Sequence, residues 1–416
     1  MSQVSIVGAY NTKFGAFIDV KDMISFKKKT DTRSFYDLIV EAGRGAIADS
    51  GLEAKDIDAV WIGTCSPGRF VGQEHIGPLA VAIDPALRFK PMTRTEAACA
   101  SSSVAIYDAV YAIESGRYRN VLVIGVEKMT LLDTPAMTAA LATCSFVPEE
   151  AARGATFPAL FAELAKAYIA RYGYSEAEIR NQFAHVAALC YRNAAKNPLA
   201  HVQNGPQTAE AILGMPDTGK GANVMVAAPL RLHDCSLVTD GAAAVVLTST
   251  ANARKTREKV VEIAGIGHAV DYLPLSKRDD KHRLAAGKHA VESAYAEAKI
   301  TVADLDLAEV HDCFTINQLL CTEALGLADD GRAGHDYVAG RFGPDDIVPI
   351  NLSGGLKAKG HPVGATGASM HALVYKQLVG EPIGLAPSNK APTVGVTFNV
   401  GGSGVTNCVT VLRRVK

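Results

Sequence analysis

The segment Ala46-Ile47-Ala48-Asp49-Ser50-Gly51-Leu52-Glu53-Ala54-Lys55-Asp56-Ile57-Asp58 returns in the second half of the chain as Ala294-Tyr295-Ala296-Glu297-Ala298-Lys299-Ile300-Thr301-Val302-Ala303-Asp304-Leu305-Asp306. Six positions agree in identity or character: Ala46/Ala294, Ala48/Ala296, Asp49/Glu297, Asp56/Asp304, Ile57/Leu305 and Asp58/Asp306. Each copy reads as a helix end, a capping turn, and a strand expected to begin at Val60 or Val310. Upstream, Val4-Ser5-Ile6-Val7-Gly8 pairs with Val261-Glu262-Ile263-Ala264-Gly265. Two matches in the same order indicate an internal duplication. A duplicated α/β unit buries one face of each half against the other.

The stretches around the repeat alternate in period. Tyr36 to Ser50 has apolar residues at helical spacing and Gly51 as its stop. Val60 to Gly63 and the fully apolar Val121 to Gly125 read as strands. Ser103 to Ser115 reads as a small-residue helix ended by Gly116. This alternation implies an α/β fold with buried parallel or mixed strands. Residues 129–223 break the pattern, being rich in Ala, Arg, Asn and His, and read as an inserted, mostly helical loop domain. Strand character resumes at Asp240 to Leu247. The expected division is a first half at 1–128, the insert at 129–223, a return of the first half at 224–255, and a second half at 256–416.

Composition narrows the class. The 416 residues are 48% hydrophobic and 20% charged, enough apolar material for a large core. Forty-two basic residues nearly balance 43 acidic ones, so no global field suggests nucleic acid. The local run Lys27-Lys28-Lys29 reads as a solvated loop. No secretory leader, membrane span or peroxisomal tripeptide is expected. The eight cysteines contain no CxxC pair, which argues for a reduced, cytoplasmic protein rather than a zinc ribbon or disulfide scaffold.

Four segments could carry chemistry. In Glu96-Ala97-Ala98-Cys99-Ala100-Ser101-Ser102-Ser103, small neighbours leave room for a bulky substrate at a cysteine that precedes a helix. An unperturbed cysteine is only about 3% ionised at neutral pH, and a helix N-terminus would favour its thiolate. In the glycine-rich run Asn351 to Gly367, His361 stands before Pro362 on a stiff turn. No phosphate-loop pattern is present, so a histidine that activates a thiol or polarises a carbonyl fits better. The third segment, Glu309-Val310-His311-Asp312-Cys313-Phe314, ends a strand, where α/β proteins place catalytic groups. A similar triplet occurs at His233-Asp234-Cys235. Neighbours on a strand face opposite ways, so these triplets are not expected to chelate, and no metal site is expected. The fourth, Phe398 to Gly404, reads as a strand end followed by a backbone-amide turn suited to an oxyanion.

Together these segments resemble the thiolase superfamily, in order and spacing. Cys99-Ala100-Ser101 resembles its nucleophile motif, and Gly360-His361-Pro362 its GHP motif within a GHPxGATG context. Asn399-Val400-Gly401-Gly402 falls where thiolases carry CxGG. His311-Asp312-Cys313-Phe314 resembles the HDCF box of the sterol-carrier-protein-type branch, in place of the usual NEAF. The resemblance spans nearly the whole chain. It implies the thiolase fold: two duplicated α/β halves in a layered αβαβα arrangement with an inserted loop domain.

The resemblance also implies a function: cleavage of 3-ketoacyl-CoA by CoA, or the reverse Claisen condensation, through an acyl-Cys99 intermediate. Asn399 departs from the acid/base cysteine of ordinary thiolases and cannot move a proton at neutral pH; Cys313 is expected to take that role. His361 and His311 would hold the thioester oxygen. Gly402, Asn399, Ser353 and Gly360 are the expected oxyanion and substrate-binding residues. Coenzyme A would be a substrate, with no tightly bound cofactor. A homodimer or larger assembly is implied. The alternative is a catalytic subunit of a hetero-oligomeric thiolase or aldolase-like complex with a small zinc-ribbon partner. Aldolase-like relatives usually lack the nucleophile, and a decarboxylating ketosynthase would fit the HDCF box poorly.

Overall fold

The computed structural model describes residues 3–20 and 29–416. Lys27 and Lys28 of the basic run lie outside these; Lys29 donates to the carbonyl of Thr130 at 2.7 Å. Nine strands form the main sheet: β1 (Val4–Asn11), β2 (Ala59–Gly63), β3 (Met92–Thr95), β4 (Asn120–Glu127), β5 (Gly241–Ser249), β6 (Val261–Val270), β7 (Leu307–Val310), β8 (Val394–Gly401) and β9 (Thr406–Arg414). Their order is β7-β8-β9-β6-β1-β5-β4-β2-β3. The first half thus runs β3-β2-β4-β5-β1 from edge to centre. The second runs β7-β8-β9-β6, with Ile350 bridging to Ala308 where the counterpart of β3 would lie. The halves meet at the antiparallel pair β1–β6, Val4 opposite Ile263.

The principal helices are α1 (Phe35–Ser50), α2 (Ser101–Glu114), α3 (Thr134–Ala142), α4 (Phe157–Tyr172), α5 (Glu176–Ala194), α6 (Ala285–Ala298), α7 (Thr315–Ala324) and α8 (Thr366–Val379). Adjacent residues of β4 join different cores. Leu122 and Ile124 pack with Leu38 and Ile39 of α1, whereas Val121 and Val123 pack with Ile106 of α2 and Leu378 of α8. A strand buried on both faces reads as one apolar run, which is why β4 does. A third core joins Ala290 of α6 and Leu320 of α7 to Val396 and Val411. The layers therefore run α1, first-half sheet, α2 with α8, second-half sheet, α6 with α7, as expected of the thiolase fold.

The duplication extends to single atoms. A Cβ on Gly8 would lie 2.5 Å from the Ala46 carbonyl oxygen, and one on Gly265 2.2 Å from that of Ala294. Asp49 accepts from the Ala9 amide at 2.8 Å, as Glu297 does from Ile266 at 2.7 Å. Asp58 accepts from the amides of Arg119 and Asn120, and Asp306 from those of Thr393 and Val394. The matched positions are those that fix helix against strand and strand against strand.

Some boundaries differ from the sequence reading. Val310 ends β7 instead of opening it, because the counterpart of Val60 in the repeat is Ala308. α2 begins at Ser101 and β8 continues to Gly401, placing Asn399 inside a strand. The two His-Asp-Cys triplets do lie side by side, through a bridge between Cys235 and Phe314. Their members turn to different partners: His233 to the Tyr191 hydroxyl, Asp234 to the Arg231 amide, and Asp312 to the amides of Leu356 and Lys357.

Candidate active site

Cys99 lies in the turn from β3 to α2. Ala98 before it has φ 51°, a left-handed conformation that an L-residue adopts only when its surroundings impose it. Ser101 imposes it: its hydroxyl donates to the Ala98 carbonyl at 2.6 Å and accepts from the Ala97 amide at 3.0 Å. His361 lies in the equivalent connection of the other half, before α8. The two helix starts approach closely because position 367 is glycine; a Cβ there would lie 2.5 Å from the Ser103 amide nitrogen. His311 follows the last residue of β7. The reactive atoms of Cys99, His311 and His361 all lie within 4.8 Å of one another, and the two rings meet edge to face at 5.0 Å.

Hydrogen bonding assigns the tautomers. The Ser103 hydroxyl donates to Oδ1 of Asn399 at 2.8 Å, which turns the Asn399 amide NH2 toward the Cys99 carbonyl (3.2 Å) and Nδ1 of His311 (3.0 Å). His311 Nδ1 therefore accepts, and its proton sits on Nε2. That buried Nε2–H has no partner among the described residues, so it is a free donor. The Thr366 hydroxyl donates to the Pro362 carbonyl at 3.1 Å and stands 2.7 Å from Nδ1 of His361. His361 then donates from Nδ1, leaving the Nε2 lone pair as a base.

Burial governs the protonation states. It lowers the pKa of His311, with His361 adding to the effect, and lowers that of His361 to about 3, with Lys359 adding. Both rings are neutral near pH 7. Burial, then Cys144 and Glu127, raises the Cys99 thiol, while a hydrogen bond from the Gly402 backbone opposes them. The expectation that the helix N-terminus would favour a standing thiolate is thus corrected: desolvation outweighs it. Cys99 is a thiol until a base takes its proton. Burial likewise raises Cys313, with Cys99 and Asp312 next.

A cavity of about 160 Å³ is lined by Cys99, Cys313, His361 and Gly402, with His311 buried behind it. Its walls are apolar: Met137 and Leu141 from α3, Phe157 and Phe161 from α4, and Leu237 and Val238. The structure thus brings Cys99, His311, His361, Cys313 and Gly402 together, with Asn399 behind them. Ser353 and Gly360 sit elsewhere. The Ser353 hydroxyl donates to Glu309 at 2.7 Å, and Gly360, at φ 120°, backs onto Thr239. Neither lines the cavity; both support the loop that carries His361. Ser103, Thr366 and Glu127 were missed. Ser103 and Thr366 lay within quoted motifs. Glu127 ends an apolar strand, accepts from the amides of Cys65 and Gly364, and so ties the two loops together.

Fold and site define the class: a duplicated α/β protein with a cysteine–histidine centre where its two halves meet. Residues 4–205 match the family model "Thiolase, N-terminal domain" and residues 267–414 match "Thiolase C-terminal domain-like". The chain is 40% identical over 414 residues to acetyl-CoA acetyltransferase of Methanothermobacter thermautotrophicus, covering 100% of each. It is 28% identical over 370 residues to human sterol carrier protein 2, covering 84% of this chain and 63% of that protein. Its fold matches the solved "Ltp2-ChsH2(DUF35) aldolase" with a TM-score of 0.79 at 22% identity, covering 99% of this chain and 97% of that one. The chain belongs to the thiolase superfamily, in its sterol-carrier-protein-type branch, and is an acyltransferase of the thiolase type. Among the described residues, no helix is long and apolar enough to cross a membrane.

Proposed function

We propose that this enzyme cleaves a 3-ketoacyl-CoA with CoA, or runs the reverse Claisen condensation, through an acyl group carried on Cys99. The observation that supports it best is the convergence of the Cys99 sulfur with a ring nitrogen of His311 and one of His361 within 4.8 Å, where the Nε2–H of His311 has no partner among the described residues.

Cys99 gives its proton to His361 Nε2 as the sulfur attacks the 3-keto carbon. The C2–C3 bond breaks, and its electrons form the thioester enolate. The Nε2–H groups of His311 and of the newly protonated His361 donate to the enolate oxygen. The Cys313 thiol delivers its proton to C2 and recovers one from incoming CoA. CoA sulfur then attacks the acyl carbonyl, with the backbone amides of Cys99 and Gly402 holding the oxyanion. The Cys99 thiolate leaves and takes back the proton held on His361.

Coenzyme A is a substrate here, and the mechanism needs no tightly bound cofactor or metal. The division at residues 128, 223 and 255, a cytoplasmic location, and a homodimer or larger assembly complete the proposal. A small zinc-ribbon partner is the alternative assembly, decided by co-purification from the native host. The function is tested by incubating the enzyme with 3-ketoacyl-CoA, quenching, and locating the acyl mass on a peptide. An adduct away from Cys99, or full activity in Cys99→Ser, overturns the assignment. A panel of aliphatic and aromatic 3-ketoacyl-CoA substrates then ranks chain lengths.

A further inference from the structure

Two cysteines that the mechanism does not use meet beside the nucleophile. The sulfurs of Cys65 and Cys144 are 3.3 Å apart, and both residues line the cavity onto which Cys99 opens. They come from different layers. Cys65 follows β2 and is buried, its amide fixed to Glu127 at 2.7 Å. Cys144 lies just past α3 and is half-buried. A second cavity, lined by Arg94, Glu96, Leu273 and Thr406, also reaches both cysteines. A small oxidant can therefore approach from a side that the acyl cavity does not occupy. A disulfide has its sulfurs about 2.05 Å apart, so closing this contact moves them by only about 1.3 Å.

We propose that Cys65 and Cys144 form a reversible dithiol–disulfide modification site that controls the acyl cavity. With a peroxide as oxidant, the Cys144 thiol is oxidised to the sulfenic acid and one water is released. The Cys65 sulfur then displaces the hydroxyl as a second water, closing the disulfide. Two thiols lose two electrons and two protons to one peroxide. The bond ties the end of α3 to the rigid end of β2. Met137, Thr138 and Leu141 of α3 form one wall of the cavity, so the cross-link fixes that wall and changes substrate entry.

The inference does not depend on the role of Cys99, because the cross-link is read by mass. The full-length enzyme is treated with hydrogen peroxide, its free thiols are alkylated, and it is digested without reductant. A peptide pair joining Cys65 to Cys144 is expected, with a fall of at least about fivefold in kcat/KM that dithiothreitol reverses. Cys65→Ala and Cys144→Ala should each abolish both the cross-link and the reversible component, judged by each variant's own oxidised-to-reduced ratio. Inactivation without that peptide pair, or the cross-link with unchanged kcat/KM, overturns the proposal.

Discussion

Replacing Cys313 with alanine separates the two halves of the proposed reaction. Cys313 is 5% exposed and lines the cavity. Its backbone is held independently of its side chain, since the Cys313 carbonyl accepts from the Ser236 amide at 2.9 Å. Losing one buried sulfur costs stability on the order of 1 kcal/mol, with the strand end left in place. Losing a general acid costs about 10²–10⁴ in rate, or about 3–5 kcal/mol of barrier. Carbon–carbon cleavage of a 3-ketoacyl-CoA should fall by that factor, because the enolate carbon loses its proton donor. Acylation of Cys99 by an aryl thioester should stay within about threefold of wild type, because an aryl thiolate leaves without needing a proton. The assay pairs steady-state cleavage with single-turnover release of the aryl thiolate. If Cys313→Ala keeps more than about a tenth of its cleavage rate, or loses both reactions equally, Cys313 is not the acid. The raised pKa of Cys313 adds a sign: the thiol stays protonated through neutral pH, so the acid step should weaken only on the alkaline side.

Three further outcomes are expected. Gly8→Ala places a methyl 2.5 Å from the Ala46 carbonyl oxygen and the Ser50 amide nitrogen, both backbone, and should destabilise by about 1–3 kcal/mol in denaturant unfolding; an unchanged midpoint would refute the close helix–strand contact. Burial raises Glu127 and Glu323 to about 7, so between the ordinary carboxylate range and pH 7 the folded state binds more protons than the unfolded one. Their contribution to stability should therefore fall as pH rises from about 5 to 8, while the neutral His311 and His361 act with the opposite sign below about 6.5. The test is the difference between wild type and Glu127→Gln in thermal melts, with the variant gaining relative to wild type as pH rises. Static light scattering should give at least twice the 43.8 kDa chain mass; an active monomer would remove the dimer from the proposal.

The fold was legible because its signals are local and repeated. The Ala46–Asp58 repeat and its counterpart preserve the residues that set helix on strand, and those contacts survive a long separation in sequence. The Cys99, His361 and HDCF segments were legible because each is a short run of unusual residues at the end of an element. The supporting residues were harder to see. Ser103 orients Asn399 from 296 positions away, and Asn399 sets His311 across 88. A serine in a helix and an asparagine in a strand carry no local mark of such a task. Ser353 shows the converse. It stands in the glycine-rich run, yet buried Glu309 captures its hydroxyl, because a buried carboxylate requires donors. The thiolate expectation failed on magnitude: one helix terminus contributes at most about 2 kcal/mol, less than burial costs the charged form of Cys99.

The duplication also bears on where the chemistry lies. α2 and α8 start from equivalent connections; Cys99 precedes one start and His361 the other, so the two central helices bring together the proposed nucleophile and its proposed base. In the register that aligns Asp58 with Asp306, Gly63 falls on His311 and Cys65 on Cys313. The ends of β2 and β7 thus occupy equivalent places beside Cys99, and each carries a cysteine that lines the cavity. Their surroundings give them different work. At the end of β7, His311 fills the place of a glycine and supplies an Nε2–H beside Cys313. At the end of β2, Gly63 supplies no side chain, and Cys65 faces Cys144 at 3.3 Å instead. In the proposed reaction one half supplies the proton-transfer cysteine, and the other holds the thiol pair. A Gly63→His variant would not restore the symmetry. Its Cβ would lie 2.4 Å from the Ser102 Cα, and the start of α2, which positions Cys99, needs that space.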